Sequence, residues 1–175
     1  RHKGRFAMAD GLNPKVTFHQ TLIRSIVLAQ KMKEILPPLS LPKRGAGGEV
    51  EMVGLFMPPS TSGACLNIAA LLCGKIPVNL NYTVSQESLN SAINQCNITT
   101  VVTARAFMEK IKLTIPINTI YLEDLVPQIT LLNKLSALFK AYFYPIRLLE
   151  KSLGSTKKWS LDDMCTIIFS SGSTG

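Results

Sequence analysis

Residues 51–80, EMVGLFMPPSTSGACLNIAALLCGKIPVNL, decide the fold because they contain a strand, a helix and a second strand in close succession. The apolar run 51–57 stops at Pro58-Pro59, which predicts a buried strand. Ser60, Thr61 or Ser62 can cap a helix that runs to Cys73, with Gly74 as its C-terminal stop. Residues 76–80 then predict another short strand. This order is typical of parallel α/β units.

The same alternation continues on both sides of this stretch. We predict helices at 16–36, capped by Thr17 or Asn13, at 85–97, at 105–112 and at 131–142, with a resumed helix at 146–153. Further strands are predicted at 98–102, 119–122 and 165–169. The sequence therefore predicts an α/β fold: a mostly parallel sheet with helices on both faces.

Composition narrows the class of protein. The chain has 175 residues, of which 46% are apolar and 17% charged, so a core of appreciable size is expected. No apolar run reaches the roughly 18 residues of a membrane-spanning helix. The net charge of +8 favours an anionic partner such as a membrane surface, a nucleotide or an acidic protein. Nucleic acid is disfavoured, since basic and aromatic residues are not interleaved.

The four cysteines form no Cys-x-x-Cys pair and lie in apolar stretches: Cys65, Cys73, Cys96 and Cys165. We expect buried, reduced thiols of a cytosolic protein rather than disulfides or a zinc site.

The last residues carry the candidate site. The strand pattern 165–169 leads into Ser170, Ser171, Gly172, Ser173, Thr174 and Gly175. Glycines allow the backbone to approach a ligand closely, and successive amides with neighbouring hydroxyls form an anion-binding concavity. In parallel sheets ligands bind beyond the carboxyl ends of strands. An ordinary Ser/Gly turn is the alternative; the spacing and the lysine of a Walker loop are absent, and so is a nucleophile elbow.

This terminal stretch, FSSGSTG at 169–175, resembles the first half of the phosphate-loop signature of the adenylate-forming (AMP-binding) enzymes, which include acyl-CoA synthetases, luciferases and peptide-synthetase adenylation domains. Two features depart from that pattern: Ser170 stands where the family usually has Thr, and Thr174 stands where an acidic residue is common. Upstream segments resemble the branch that loads fatty acids onto acyl carrier protein, in bacteria often fused to a 2-acylglycerophosphoethanolamine acyltransferase. Those segments are 53–60, 74–83, 103–107 and 121–125.

The resemblance implies that 13–175 form the N-terminal portion of an adenylation domain, truncated within the phosphate loop, after a basic tail or linker at 1–12. It further implies an ATP- and Mg²⁺-dependent ligase. A fatty acid would form an acyl-adenylate, and the thiol of acyl carrier protein or CoA would then take the acyl group. Ser170 to Gly175 would bind the leaving phosphates, with the catalytic residues lying beyond Gly175.

The resemblance also implies a cytoplasmic protein, or one at the inner face of the membrane, and a chain that is inactive by itself. The alternatives are a long-chain fatty acid–CoA ligase and a non-catalytic α/β binding module.

Three other features have less specific interpretations. His19 has no partner for a metal site or triad and is expected to be a surface or capping residue. Glu123 and Asp124 are expected to be solvated or to cap a helix, since sequence neighbours on a strand point apart. The amphipathic segment 131–151 either covers the core or forms a helix that docks on a membrane surface or a carrier protein.

Overall fold

The computed structural model describes residues 4–36, 51–155 and 159–169. Its strands are β1 (Phe6–Met8), β2 (Val16–Thr17), β3 (Met52–Phe56), β4 (Ile76–Asn79), β5 (Thr100–Thr103), β6 (Asn118–Tyr121) and β7 (Ile167–Ile168). Its helices are α1 (Phe18–Ile35), α2 (Thr61–Leu72), α3 (Gln86–Gln95), α4 (Arg105–Met108), α5 (Leu122–Leu125), α6 (Leu131–Phe143) and α7 (Ile146–Ser152), with a 3₁₀ turn at Val126–Gln128.

Five strands form one parallel sheet in the order β6-β5-β3-β4-β7. The chain passes from β3 to β4 on one side and then returns to β5 on the other side of β3. The connection after β3 thus leads to one side of the sheet and the connection after β5 leads to the other, so a crevice opens between the carboxyl ends of these two strands. The predicted α/β class with a parallel sheet is confirmed.

Helices cover both faces of this sheet. On one face, α1, α2, α6 and α7 enclose a core with Val53, Leu55 and Val102 of the sheet. On the other face, α3 and the residues around α4 pack on Phe56, Val78 and Val101. Neighbouring side chains of β3 and of β5 point to opposite faces, because side chains alternate along a strand with a period of two residues.

The helix ends follow from local chemistry. Thr17 accepts a hydrogen bond from the Gln20 N–H, and the Gln20 side chain accepts one from the Thr17 N–H, a capping box at the start of α1. Ser60 caps α2 by accepting from the Gly63 N–H at 3.1 Å. Gly74 ends α2 with φ +76°, a conformation that favours glycine. These predicted helix ends are confirmed.

Two predicted elements differ from the structure. The helix predicted at 105–112 ends at Met108, because the apolar residues after it pack beneath the sheet instead of continuing the turn. Residues 4–12, within the predicted tail, include β1, which pairs antiparallel with β2. The domain boundary at residue 12 stays a prediction.

The cysteines are all free thiols. Cys65 and Cys73 are buried, and each thiol lies near a carbonyl of α1, with Cys73 Sγ 3.3 Å from Ala29 O. Burial raises the pKa of Cys73 to about 12. Cys96 is only partly buried and Cys165 is exposed, so the expectation of burial was only partly met for Cys96 and was wrong for Cys165. Cys165 lies just before β7, which among the described residues has a partner strand on one side only.

Candidate functional site: the carboxyl edge of the sheet

The strand that precedes the predicted phosphate loop lies at one end of the sheet. β7 pairs in parallel with β4, with Val78 opposite Ile167 and Asn79 opposite Ile168. Phe169 continues toward the carboxyl edge and packs on the apolar cluster below the sheet. Ser170, Ser171, Gly172, Ser173, Thr174 and Gly175 lie outside the described residues, so their phosphate-binding role stays a prediction.

A small polar network attaches β7 to the rest of the domain. The side-chain amides of Asn67 and Asn79 bond reciprocally at 3.0 and 2.9 Å. Asn79 Nδ2 also donates to Thr166 Oγ1 at 3.1 Å, and that hydroxyl donates to Pro77 O at 3.2 Å. The network joins α2, β4 and the residue before β7. It therefore sets the position from which the chain leaves the sheet after Phe169.

The crevice between the strand ends holds a cavity of about 680 Å³. It lies where the connections of β3 and β5 diverge, the usual ligand position in doubly wound sheets. Its walls combine apolar side chains with a few polar groups, as in small-molecule sites. The lining includes Met57, Pro58, Ser60, Phe107, Leu122 and Glu123.

Asp10 closes one side of this cavity. Its Oδ2 accepts hydrogen bonds from the N–H and the hydroxyl of Thr61, both at 2.8 Å. Its Oδ1 accepts from the Asn13 N–H and side-chain amide. These bonds, with those from Thr61 largest, hold the pKa of the Asp10 carboxyl well below its usual range. Asp10 stays ionised and fastens the N-terminal segment to the start of α2.

Glu123 also lines this cavity. Burial raises the pKa of its carboxyl, but hydrogen bonds from the N–H groups of Arg105 and Ala106, at 3.0 and 3.4 Å, outweigh that effect and lower it. Asp124 pairs instead with Arg105 Nη2 at 2.5 Å, and the Arg105 guanidinium stacks on the Tyr121 ring at 4.1 Å. Glu123 thus caps the start of α4, one of the two roles expected of these carboxylates, although both lie in the short helix α5 rather than on a strand.

His19 takes no part in this site. It lies in the first turn of α1, and its ring meets Tyr142 edge to face at 4.7 Å between centroids. Thr17 performs the capping that was one expectation for His19. Within the described ranges, no three side chains of the metal-binding types cluster, and no helix there is long and apolar enough to cross a bilayer.

Sequence reasoning missed Asp10, Asn67, Asn79 and Thr166. A single polar residue in a basic segment or on a strand end carries no spacing signal, and only the assembled fold shows what it contacts. A glycine-rich loop after an apolar strand, in contrast, is a local pattern that can be read directly.

The fold is a doubly wound α/β domain with the architecture of the N-terminal part of an adenylate-forming enzyme domain. The chain belongs to the AMP-binding enzyme family, whose model matches residues 40–175.

Solved structures show the same fold at low sequence identity. VinN in complex with 3-methylaspartate is 16% identical, with a TM-score of 0.62, covering 98% of this chain and 41% of that one. O-succinylbenzoate coenzyme A synthetase (MenE) from Bacillus subtilis, in complex with AMP, is 16% identical with a TM-score of 0.61, covering 99% and 37%. The N-terminal subdomain of Klebsiella oxytoca NpsA, with 3-hydroxybenzoyl-AMSN, is 12% identical with a TM-score of 0.58, covering 74% and 29%. The chain thus spans less than half the length of each.

Proposed function

We propose that this chain is part of an enzyme that activates a fatty acid with ATP and transfers it to the phosphopantetheine thiol of acyl carrier protein. In the first step a carboxylate oxygen bonds to the α-phosphorus of ATP and the bond to the β-phosphate bridging oxygen breaks. Pyrophosphate leaves and an acyl-adenylate remains. In the second step the thiol sulfur bonds to the acyl carbon, AMP leaves, and the thiol proton goes to solvent.

The observation that carries the proposal is the direction of β7. It runs parallel to the other four strands and ends at the carboxyl edge, with Ser170 following directly after Phe169. Backbone amides and hydroxyls at such an edge suit a leaving pyrophosphate, which they would stabilise by fixed dipoles. We assign this role to Ser170, Ser171, Gly172, Ser173, Thr174 and Gly175. Family membership supports the same chemistry.

Mg²⁺ enters this scheme with ATP as the MgATP complex. Glu123 and Asp10, the carboxylates at the cavity, are already engaged by backbone donors and by Thr61, so neither is assigned as a ligand of the ion. When bound with ATP, the ion would supply positive charge that offsets the charge of the phosphates.

CoA is the second candidate acceptor. The structure of MenE, a coenzyme A synthetase, shares the fold of this chain. Fatty acid–CoA ligation would use the same first step and differ only in the thiol. The upstream resemblances, at 74–83 and 103–107, favour the carrier protein.

ATP–pyrophosphate exchange on the full-length protein tests the first step. We expect fatty acids to support exchange, and offering CoA and holo-carrier together should give mainly acylated carrier. The substrate assignment is refuted if no fatty acid supports exchange or if only aryl acids support it. Exclusive formation of acyl-CoA refutes the carrier protein as acceptor. Residues 1–175 alone are expected to give no exchange.

A variant of the full-length protein tests the loop. Replacing Ser170, Ser173 and Thr174 together by Ala, Ala and Val should reduce kcat by at least about 10²–10³-fold, since the loss of a single transition-state donor typically costs that much. The matched control is Thr119→Val on β6, whose hydroxyl, among the described residues, donates to the nearby Ile117 carbonyl at 3.0 Å. Equal activity of both variants contradicts the assignment.

A further inference from the structure

The helix α6 is packed with its polar and small side chains inward. Ala137 is completely buried, and Gln30 Nε2 of α1 donates to Ser136 Oγ at 3.2 Å. Burial also lowers the pKa of Lys140, which is partly enclosed on this inner side near Lys33. The segment therefore covers the core, one of its two predicted roles, but it does so with small and polar side chains such as Ala137 and Ser136 rather than with its leucines and aromatics.

The large apolar side chains of α6 and α7 consequently point to the outside. Nine of the seventeen exposed large apolar residues of the described chain lie here. Leu132 is 76% exposed and Phe143 is 70% exposed. We call this set the α6 face, and its members are Leu131, Leu132, Leu135, Leu138, Phe139, Tyr142, Phe143, Ile146 and Leu148.

A contiguous apolar surface of this kind on a folded domain indicates an interaction site. At three- and four-residue spacing the α6 residues form one stripe along a helix about 20 Å long. The stripe contains a Phe139–Phe143 pair with ring centroids 4.8 Å apart. Ile146 and Leu148 extend it onto α7.

The charges along α6 and the first residues of α7 have one sign. From residue 126 to residue 149 the chain contains Lys134, Lys140 and Arg147 and no Asp or Glu. Lys151 follows, with Glu150 as the first acid. Lys134, Arg147 and Lys151 are exposed. An apolar ridge flanked by cations is complementary to a surface that is apolar inside and anionic outside.

We propose that the α6 face is a docking surface for an anionic phospholipid bilayer. The apolar stripe would enter the boundary between headgroups and acyl chains, while Lys134, Arg147 and Lys151 contact the lipid phosphates. A bilayer accepts a convex row of separate side chains without matching pockets, whereas a protein partner needs shape complementarity. This inference is independent of the adenylation chemistry.

A second copy of the chain fits this surface less well. In a two-fold contact each copy presents the same residues. Each copy would bring Lys134 and Arg147 to the contact, and neither would bring an acid from residues 126 to 149 to pair with them. Like charges brought together oppose such a contact.

Vesicle flotation with the whole chain tests the proposal. Vesicles of phosphatidylcholine and phosphatidylglycerol in equal parts should carry the protein, and vesicles of phosphatidylcholine alone should bind it far less. A Leu132→Asn, Phe143→Asn double variant should bind at least about tenfold more weakly, since two exposed apolar side chains lose their insertion. The matched control is Leu12→Asn with Leu161→Asn, which alters two exposed apolar residues outside the face.

A charge variant separates the contribution of the cations from that of the inserted apolar side chains. Arg147→Gln with Lys151→Gln should weaken binding roughly 30-fold, because each cation near an anionic surface contributes about fivefold. Lys110→Gln with Lys112→Gln, on the other side of the sheet, should bind like the wild type. Circular dichroism confirms that each variant is folded.

Several results would overturn the inference. It fails if the wild type does not float with vesicles, or if the face variant and its control float equally. It also fails if binding does not depend on the phosphatidylglycerol content. Light scattering that finds a dimer of the wild type and a monomer of the face variant, without flotation, assigns the face to a second copy. Binding of polyglutamate but of no vesicle assigns it to an acidic polypeptide.

Discussion

Replacing Gly54 by alanine tests whether the sheet is packed as tightly as the structure indicates. Gly54 lies in the middle of β3, between Val78 of β4 and Val101 of β5. A Cβ at this position would come within 2.7 Å of Val101 Cγ2, 3.1 Å of Leu80 Cδ1 and 3.2 Å of Ile98 Cγ2. All three neighbours are almost completely buried. Two of them are β-branched, with few alternative rotamers, so the added methyl has no free space.

The magnitude follows from two opposed effects. Overpacking of a tight core costs about 1–3 kcal/mol. Alanine also lowers the entropy of the unfolded chain, which returns roughly 0.4–1 kcal/mol. We expect the free energy of unfolding to fall by about 1–2 kcal/mol in Gly54→Ala, with the slope of the urea transition unchanged. Urea denaturation followed by circular dichroism measures this difference.

Gly63→Ala provides the matched control. Gly63 lies in the first turn of α2, and its added Cβ would find nothing nearer than Ser60 Oγ at 3.4 Å. Alanine in a helix is favoured over glycine by about 0.5–1 kcal/mol, so this variant should be as stable as the wild type or more so. A Gly54→Ala protein that is as stable as Gly63→Ala would refute the packing of β3 described here.

Two further perturbations concern the site. Because hydrogen bonds from Thr61 and Asn13 depress the pKa of Asp10 below its ordinary value of 3.8, its carboxylate stabilises the fold above that pH and the stabilisation is lost as the pH falls below it. Asp10→Asn should therefore be less stable than the wild type at pH 7, with the difference vanishing in acid; urea titrations at several pH values measure it, and a constant difference contradicts the role of the charge. Thr166→Val removes the hydroxyl that bonds to both Asn79 and Pro77. The free energy of local opening of β7 should fall by about 1 kcal/mol, so that amide hydrogen exchange at Ile168 becomes about fivefold faster. Unchanged exchange there, compared with Thr119→Val, would show that the network does not position β7.

Local patterns were sufficient for most of the secondary structure. The strand at 51–57 and the helix after Ser60 were predicted from an apolar run, two prolines and a capping hydroxyl, because these signals act over a few neighbouring residues. The order of alternating strands and helices also predicted the parallel sheet. Parallel strands need a long crossover connection, and a helix between two strands supplies one. The phosphate-loop prediction at 170–175 has the same local origin and stays a prediction.

The sequence by itself determined that α6 has an apolar side and a polar side, through the three- and four-residue spacing of its leucines and aromatics. Only the tertiary structure decided which side faces the protein. Ala137 and Ser136 allow α6 to approach α1 closely, as their small side chains leave room that Leu135 and Phe139 would occupy. Periodicity reports that two faces differ, but the fit of one helix against another selects the face that is buried. Asp10 and Thr166 follow the same rule, because their partners at Thr61 and Pro77 lie far away in the chain and are brought near only by folding.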